Sequence, residues 1–346
     1  MPLVDSGMGL RGANDYVSTA PTRLMKGSLM TGWTASDIPS QQGRTAVVTG
    51  TGGLCFEDAL PLARSGGDVV LAGRNPRKGA DAVARIRDVV PKATISFERL
   101  DLASLKSIAE FAERLRRDRS SIDILINNAG VMVPPRREVT KDGFELQLGT
   151  NFLGHFALTA RLLPFLRNGS RPRVVTLSSI AARGGSINFG DLNAQQGYKP
   201  MPVYNPSKLA CLMFALELER RSKENGWGLT SIAAHPGISR TDLLLNASGK
   251  YSFERIMRTL LPFMFQPAAQ GALPALYAAT APEARGGGYY GPDRMGEARG
   301  LPGPTKMPDA ALDDAAADRL WRCSEELTGA SFPEAANDRI SVGVGT

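Results

Sequence analysis

Tyr204 and Lys208 stand four residues apart. If Tyr204 opens a helix, that spacing puts both side chains on one face. The pair has a chemical use. A phenol alone holds its proton up to about pH 10. A nearby ammonium favours the phenolate and eases proton exchange at neutral pH. Tyr204 therefore reads as the general acid of a carbonyl reduction, or the base of an alcohol oxidation. A tyrosine and a lysine at this spacing are common on helix surfaces. Here they follow Ser178-Ser179 and precede a strand-like run, which gives the spacing weight. A serine hydroxyl can steady the charge on a substrate oxygen; a serine pair at a strand end is otherwise an ordinary cap.

A second group of residues lies upstream. Thr49-Gly50-Thr51-Gly52-Gly53-Leu54-Cys55 joins a short apolar run to a helical pattern. Glycines at such a turn let backbone N–H groups face a pyrophosphate at the positive end of a helix. A plain structural turn explains a glycine cluster as readily. The next apolar run ends Leu71-Ala72-Gly73-Arg74-Asn75, with Arg77 and Lys78 following. A site for NAD carries Asp or Glu at that point, to hold the ribose hydroxyls. Arg74 instead suits a 2′-phosphate, which a guanidinium grips through paired hydrogen bonds. The expected cofactor is NADP(H), ahead of NAD(H).

These groups need a scaffold. Apolar, β-branched runs occur at Thr45–Thr49, Asp68–Ala72, Thr94–Leu100, Ile122–Ile126, Arg173–Leu177 and Leu229–Ala234. Continuous apolar strands of this kind belong to parallel sheets buried on both faces. Between them lie helical patterns. Ala103–Arg117 carries one apolar stripe through Leu105, Ile108, Ala109, Ala112 and Leu115, with Asp101 or Ser104 as its cap. The alternation implies an α/β fold, a single Rossmann-type doubly wound parallel sheet with helices on both faces. Ligands of such sheets bind at the carboxyl ends of the strands. The expected organisation is an extension over 1–40, loosely ordered at 1–29. A dinucleotide-binding domain follows over 41–295, and then a C-terminal extension over 296–346 with a short helix near Asp313–Leu327.

Composition narrows the classes. The chain has 346 residues, 42% apolar and 22% charged, with a net charge of +7. The basic residues are scattered among acidic ones, which disfavours a nucleic-acid partner. The cysteines Cys55, Cys211 and Cys323 are far apart, and His155 and His235 are the two histidines. No metal site or disulfide framework is expected from that set. No run of 18 apolar residues suggests a membrane span. With no secretory signal in view, the expected location is cytoplasmic.

Five segments in order resemble the short-chain dehydrogenase/reductase family, over residues 40–295. They are Asn127-Asn128-Ala129-Gly130, the segment Asn151–Phe156, Ser178-Ser179, Tyr204-Asn205-Pro206-Ser207-Lys208, and His235-Pro236-Gly237-Ile238-Ser239-Arg240-Thr241. The nearest look is to the retinol-dehydrogenase-like and protochlorophyllide-reductase-like branch. The resemblance implies Tyr204, Lys208, Ser179 and Asn151 as the catalytic set. Lys208 also holds the nicotinamide ribose, and Asn151 holds a relay water or pins a helix kink. It implies cofactor contacts at Gly50, Gly52, Gly53, Leu54, Arg74, Asp101, Leu102, Asn128, Ala129, Gly130, Pro236, Gly237, Ile238 and Thr241. Within that set Asp101 meets the adenine, Thr241 meets the carboxamide, and Asn128 also ties neighbouring strands. His155 and His235 read as structural. Family members are often dimers or tetramers through two long helices, so a homodimer or homotetramer is an expected partner state.

Two departures matter. The glycine loop is one residue short, and Cys55 stands where the family has its last glycine. Extra bulk at a close-packed point typically costs about 1–3 kcal/mol. A catalytically impaired binding or regulatory protein is the alternative this raises. The variable segment 242–270 is strongly apolar. It fits a lid over a lipophilic alcohol or carbonyl; packing onto the sheet, or a dimer contact, fits the same residues.

Overall fold

The computed structural model describes residues 32–239 and 265–334. Expectations placed on 1–29, on Thr241 and on most of the 242–270 segment lie outside the described residues.

The strands are β1 Thr45–Thr49, β2 Asp68–Gly73, β3 Ile95–Arg99, β4 Ile124–Asn127, β5 Arg173–Leu177, β6 Thr230–Ala234, β7 Tyr289–Arg294 and β8 Arg299–Pro304. They form one sheet in the order β3-β2-β1-β4-β5-β6-β7-β8. The first seven run parallel, and β8 is antiparallel to β7. Successive residues alternate faces, as strand geometry requires. Val47 of β1 enters one core with Val70, Leu125 and Val174, while Ala46 and Val48 enter the other with Val69, Leu71 and Ile126. Burial on both faces is the reason the central strands β1, β2, β4, β5 and β6 are largely apolar.

Helices cover each face. The second core takes α1 Leu54–Arg64, α2 Pro76–Val89 and α6 Ala268–Thr280, through Leu62, Ile86 and Leu276. The first takes α3 Leu105–Asp118, α4 Gly154–Arg167, α5 Pro200–Glu224 and α7 Asp314–Thr328. Ser104 caps α3, its hydroxyl accepting from Ser107 N at 3.3 Å. Asn75 caps α2, accepting from the amides of Arg77 and Lys78. None of the described helices is long and apolar enough to cross a membrane.

The sheet and core continue past residue 295, where the sequence reading ended the domain. The segments Tyr289–Arg294 and Arg299–Pro304 are rich in glycine and proline. Such composition reads as loop; proline is tolerated in β8 because it lies at the sheet edge, and in β7 because Pro292 lies beyond Tyr290, where pairing with β6 ends. Helix α7 lies across α4 and α5. Its Trp321 ring sits 5.1 Å from Phe156 and 5.9 Å from Phe214, and Phe332 closes the cluster 4.5 Å from Trp321. Arg221 of α5 stacks over Trp321 and pairs with Asp318 at 2.8 Å.

One side chain runs against this packing. Asp58 of α1 is fully buried, and neither carboxyl oxygen has a hydrogen-bond partner among the described residues. Burial, with Glu57 alongside, raises its pKa well above the usual carboxylate range. The folded chain therefore keeps the proton that the unfolded chain releases near pH 4. Stability falls as pH rises from about 4 towards the folded-state value. We expect Asp58→Ala to stabilise the protein at pH 7.5 by about 1–3 kcal/mol, the scale of an unsatisfied buried polar group. The gain should shrink at pH 4.5. Urea unfolding at both pH values checks this, and an equal or lower midpoint at pH 7.5 would count against it.

Candidate active site

The carboxyl edge of the sheet is organised by Thr49, the last residue of β1. Its hydroxyl accepts the amides of Asn128 at 2.9 Å and Ala129 at 3.0 Å. It also meets His155 Nε2 at 2.9 Å. The other ring nitrogen of His155 bonds the carbonyl of Asn151 at 2.8 Å. A carbonyl only accepts, so Nδ1 carries the proton and Nε2 accepts from Thr49. Burial, against the hydrogen bond to Asn151 and together with the charge of Lys208, lowers the pKa of His155 to about 4.

Asn151 lies in a π-helical turn, Gly149–Leu153, that leads into α4. Such turns recur at functional sites. Its side-chain oxygen accepts from Val131 N at 2.7 Å. Its amide group donates to Val131 O and Ser207 Oγ, both at 3.0 Å. The side chain thus holds the loop after β4 against α5.

The expected loop residues border a cleft of about 390 Å³, lined by Gly50–Cys55 and by Asn128, Ala129 and Gly130. Gly53 adopts φ +55° and starts α1. Cys55 fits the turn because Gly50 lacks a Cβ: an added Cβ would fall on the Cys55 sulfur. The thiol is buried against Asn128, and burial pushes its pKa up to about 12. The expected bulk of Cys55 is therefore taken up beside Gly50, and the cleft stays open.

Lys78, Asp81 and Arg85 of α2 line the same cleft. Sequence reasoning noted Lys78 and missed the other two, although three- and four-residue steps put all three on one helix face. Arg74 follows β2, is exposed, and its side chain makes no hydrogen bond or ion pair among the described residues. It does not line the cleft itself. Asp101 is engaged locally, accepting from Ala103 N and pairing with Lys141 at 3.0 Å. Leu102 packs into the core.

A second cavity of about 350 Å³ shares Leu54, Asn128 and Gly130 with the first. Ser179, Tyr204 and Lys208 face it, with Pro236, Gly237 and Ile238 on another wall. Lys208 Nζ donates to Leu177 O, at the end of β5, at 2.9 Å. Ser178 donates to the carbonyl of Lys208 at 2.8 Å and so ties α5 to β5. Ser179 Oγ accepts from Ala181 N at 3.2 Å, which leaves its hydroxyl proton free for a ligand. Most of the remaining lining is apolar (Leu54, Met132, Leu177, Ile180, Ala181 and Met201), with Ser178 and Ser239 beside it.

A glycine turn after the first strand, joined to a Tyr–Lys pair beside the fifth, defines a dinucleotide-fold oxidoreductase. Residues 44–251 match the short chain dehydrogenase family. The mouse polyprenol dehydrogenase is 41% identical over 303 residues, 85% of this chain and 86% of that protein. Human retinol dehydrogenase 13 is 40% identical, covering 84% of this chain and 86% of its own. An uncharacterised protein from Mycobacterium paratuberculosis superposes with a TM-score of 0.72 at 40% identity, covering 88% of this chain and all of that one. A short chain dehydrogenase from Shigella flexneri, solved with NADP, gives 0.57 at 22% identity over 72% of this chain and 96% of its own, a likeness of fold. The chain belongs to the short-chain dehydrogenase family, retinol-dehydrogenase-like branch, whose members bind nicotinamide cofactors and interconvert alcohols and carbonyls.

His155 makes the site sensitive to acid. Its folded-state pKa lies below the unfolded value of about 6.5, so its stabilising share is complete above that value. The share is lost as pH falls from about 6.5 towards about 4. It amounts to about 3 kcal/mol at most. We expect His155→Gln to show a flatter fall in melting temperature across that window than the parent. Parallel curves would remove His155 from this role.

Proposed function

We propose that this protein is an NADP(H)-dependent oxidoreductase that interconverts an alcohol and a carbonyl on a lipophilic substrate. One observation carries the reading. Ser179, Tyr204 and Lys208 face a mainly apolar cavity that shares Leu54, Asn128 and Gly130 with the glycine-lined cleft.

The residues present suit a dinucleotide. The amides of Thr51, Gly52 and Gly53 have no acceptor among the described residues, and a Cβ on Gly52 would meet open space. They would hold the pyrophosphate, as helix N-termini do. Arg74 and Lys78, with no ion-pair partner among the described residues, would take the 2′-phosphate, by paired and single charge-assisted hydrogen bonds respectively. A bound nicotinamide supplies or accepts the hydride.

The chain's own residues handle the proton. Tyr204 delivers it to the carbonyl oxygen, or removes it from the alcohol. Lys208 is fixed by Leu177 O through one of its three N–H donors, which leaves the others for the ribose and the phenol. Ser179 donates to the reacting oxygen and steadies its charge. Asn151, through Val131 and Ser207, ties the loop bearing Gly130 and Met132 to the helix bearing Tyr204 and Lys208. The apolar walls favour a lipophilic substrate, in keeping with relatives named for retinol and polyprenol. The impaired-protein alternative drew on Cys55. The sulfur turned towards Gly50 and Asn128, beside an open cleft, favours the enzyme.

Tyr204→Phe should cut turnover of a lipophilic aldehyde with NADPH by at least about 100-fold. Its circular dichroism should match the parent. Unchanged turnover would dismiss Tyr204 as the acid. Arg74→Ala should weaken NADPH binding about 10- to 100-fold and leave NADH binding nearly alone, the scale of one or two hydrogen bonds to a charge. Equal losses for both nucleotides would place the discrimination elsewhere.

A further inference from the structure

The turn between β7 and β8 is unusual. Met295, Gly296 and Glu297 have φ of +51°, +63° and +69°. Glycine adopts this region freely, while methionine and glutamate do so at a cost. Such positions persist where the surroundings over-determine them.

At Glu297 the surroundings are four donors. The guanidinium of Arg183 and the hydroxyl of Thr305 both bond its carboxylate. His235 Nε2 lies 3.1 Å away and Lys306 N 3.4 Å away. Burial works against the charge, but the bonds from His235 and Thr305 and the charge of Arg183 outweigh it, holding the carboxyl at about 2. The orientation of His235 is also set. Gly237 N donates to its Nδ1 at 3.2 Å, so Nε2 carries the proton and donates to Glu297. A Cβ on Gly291 would strike this ring, so β7 leaves room for it.

Both arms of the cluster end at the substrate cavity. Arg183 belongs to the short turn Ile180–Gly184 that Ser179 caps. His235 immediately precedes Pro236 and Gly237. Beside Glu297, the carbonyl of Ala298 accepts from Ile238 N at 2.8 Å. Tyr289, packed on the His235 ring, donates to Ser179 O at 3.3 Å.

We propose that Glu297 is a positioning residue for the substrate cavity: its carboxylate clamps the turn after β5, which carries Ser179, to the turn after β6, which carries Gly237 and Ile238. This rests on reading that cavity as an oxidoreductase site. Glu297 falls within 296–346, the stretch expected from the sequence to be an extension. It reaches the cavity through Arg183 and His235 and touches no reacting atom.

The test uses the full chain, with Glu297→Gln and Arg183→Met. Hydrogen exchange of the apo protein is followed at Ala182, Gly185 and Ile238, and turnover is measured with NADPH and lipophilic aldehydes. Glu297→Gln should speed exchange at all three amides and leave β2 protected. It should lower kcat roughly 10- to 100-fold, as small misplacements of reacting groups do, and by more than it weakens NADPH binding. Arg183→Met, which cuts one arm, should loosen Ala182 and Gly185 and spare Ile238; it decides the matter if Glu297→Gln does not fold. Unchanged exchange at these amides, or a uniform rise across the chain, would overturn the clamp. If the parent turns over no aldehyde or alcohol, the enzymatic reading fails. The exchange pattern still decides whether Glu297 clamps the two turns.

Discussion

The site depends on a single hydroxyl. Thr49 ends β1, accepts two amides from the segment after β4, and donates to His155. His155 passes the constraint to the carbonyl of Asn151, and Asn151 passes it to Val131 and Ser207. Ser207 adjoins Lys208 in sequence. The glycine turn, the loop after β4 and the helix bearing Tyr204 are therefore held in one hydrogen-bonded chain. In a buried setting each such bond matters twice over, because breaking one strands both partners. A neutral histidine is the natural middle member, since it donates on one side and accepts on the other.

Much of this order could be read in the sequence. Strands β1, β2, β4, β5 and β6 declared themselves by largely apolar runs, since parallel strands buried on both sides have little room for polar residues, and the edge strand β3 by its alternating Ile95 and Phe97. The Tyr204–Lys208 spacing held on α5, and Ser104 and Asn75 capped helices as short polar side chains do. Strands β7 and β8 were hidden because Tyr-Tyr-Gly-Pro-Asp-Arg and Arg-Gly-Leu-Pro-Gly-Pro carry turn chemistry. Their strand state comes from pairing with β6 and with each other, a tertiary effect that local propensity does not encode. For the same reason the sequence ended the domain too early. Thr49 gave no signal, as a threonine at a strand end is ordinary. Cys55 gave a misleading one, because the space it fills belongs to Gly50, five positions away.

The two cavities share a wall at Leu54, Asn128 and Gly130. One is lined by backbone groups together with Lys78, Asp81 and Arg85, the other by apolar side chains and a few convergent hydroxyl and ammonium groups. That polarity gradient orients any ligand long enough to span both, charged end towards α2 and apolar end towards Met132 and Met201. At that wall Gly130 lets Asn151 pack close: an added Cβ would lie 3.0 Å from Asn151 Oδ1.

Helix α7 has a consequence for how the chain is made. Phe156 and Phe214 are covered by Trp321 and Phe332, more than a hundred residues further along. During synthesis the aromatic face of α4 and α5 stays bare until residues 314–332 have left the ribosome. Strand β8 likewise arrives after most of the sheet has been made. Nascent chains with bare apolar surface are prone to association. Until α7 is made, the aromatic face that Trp321 and Phe332 cover is surface of that kind.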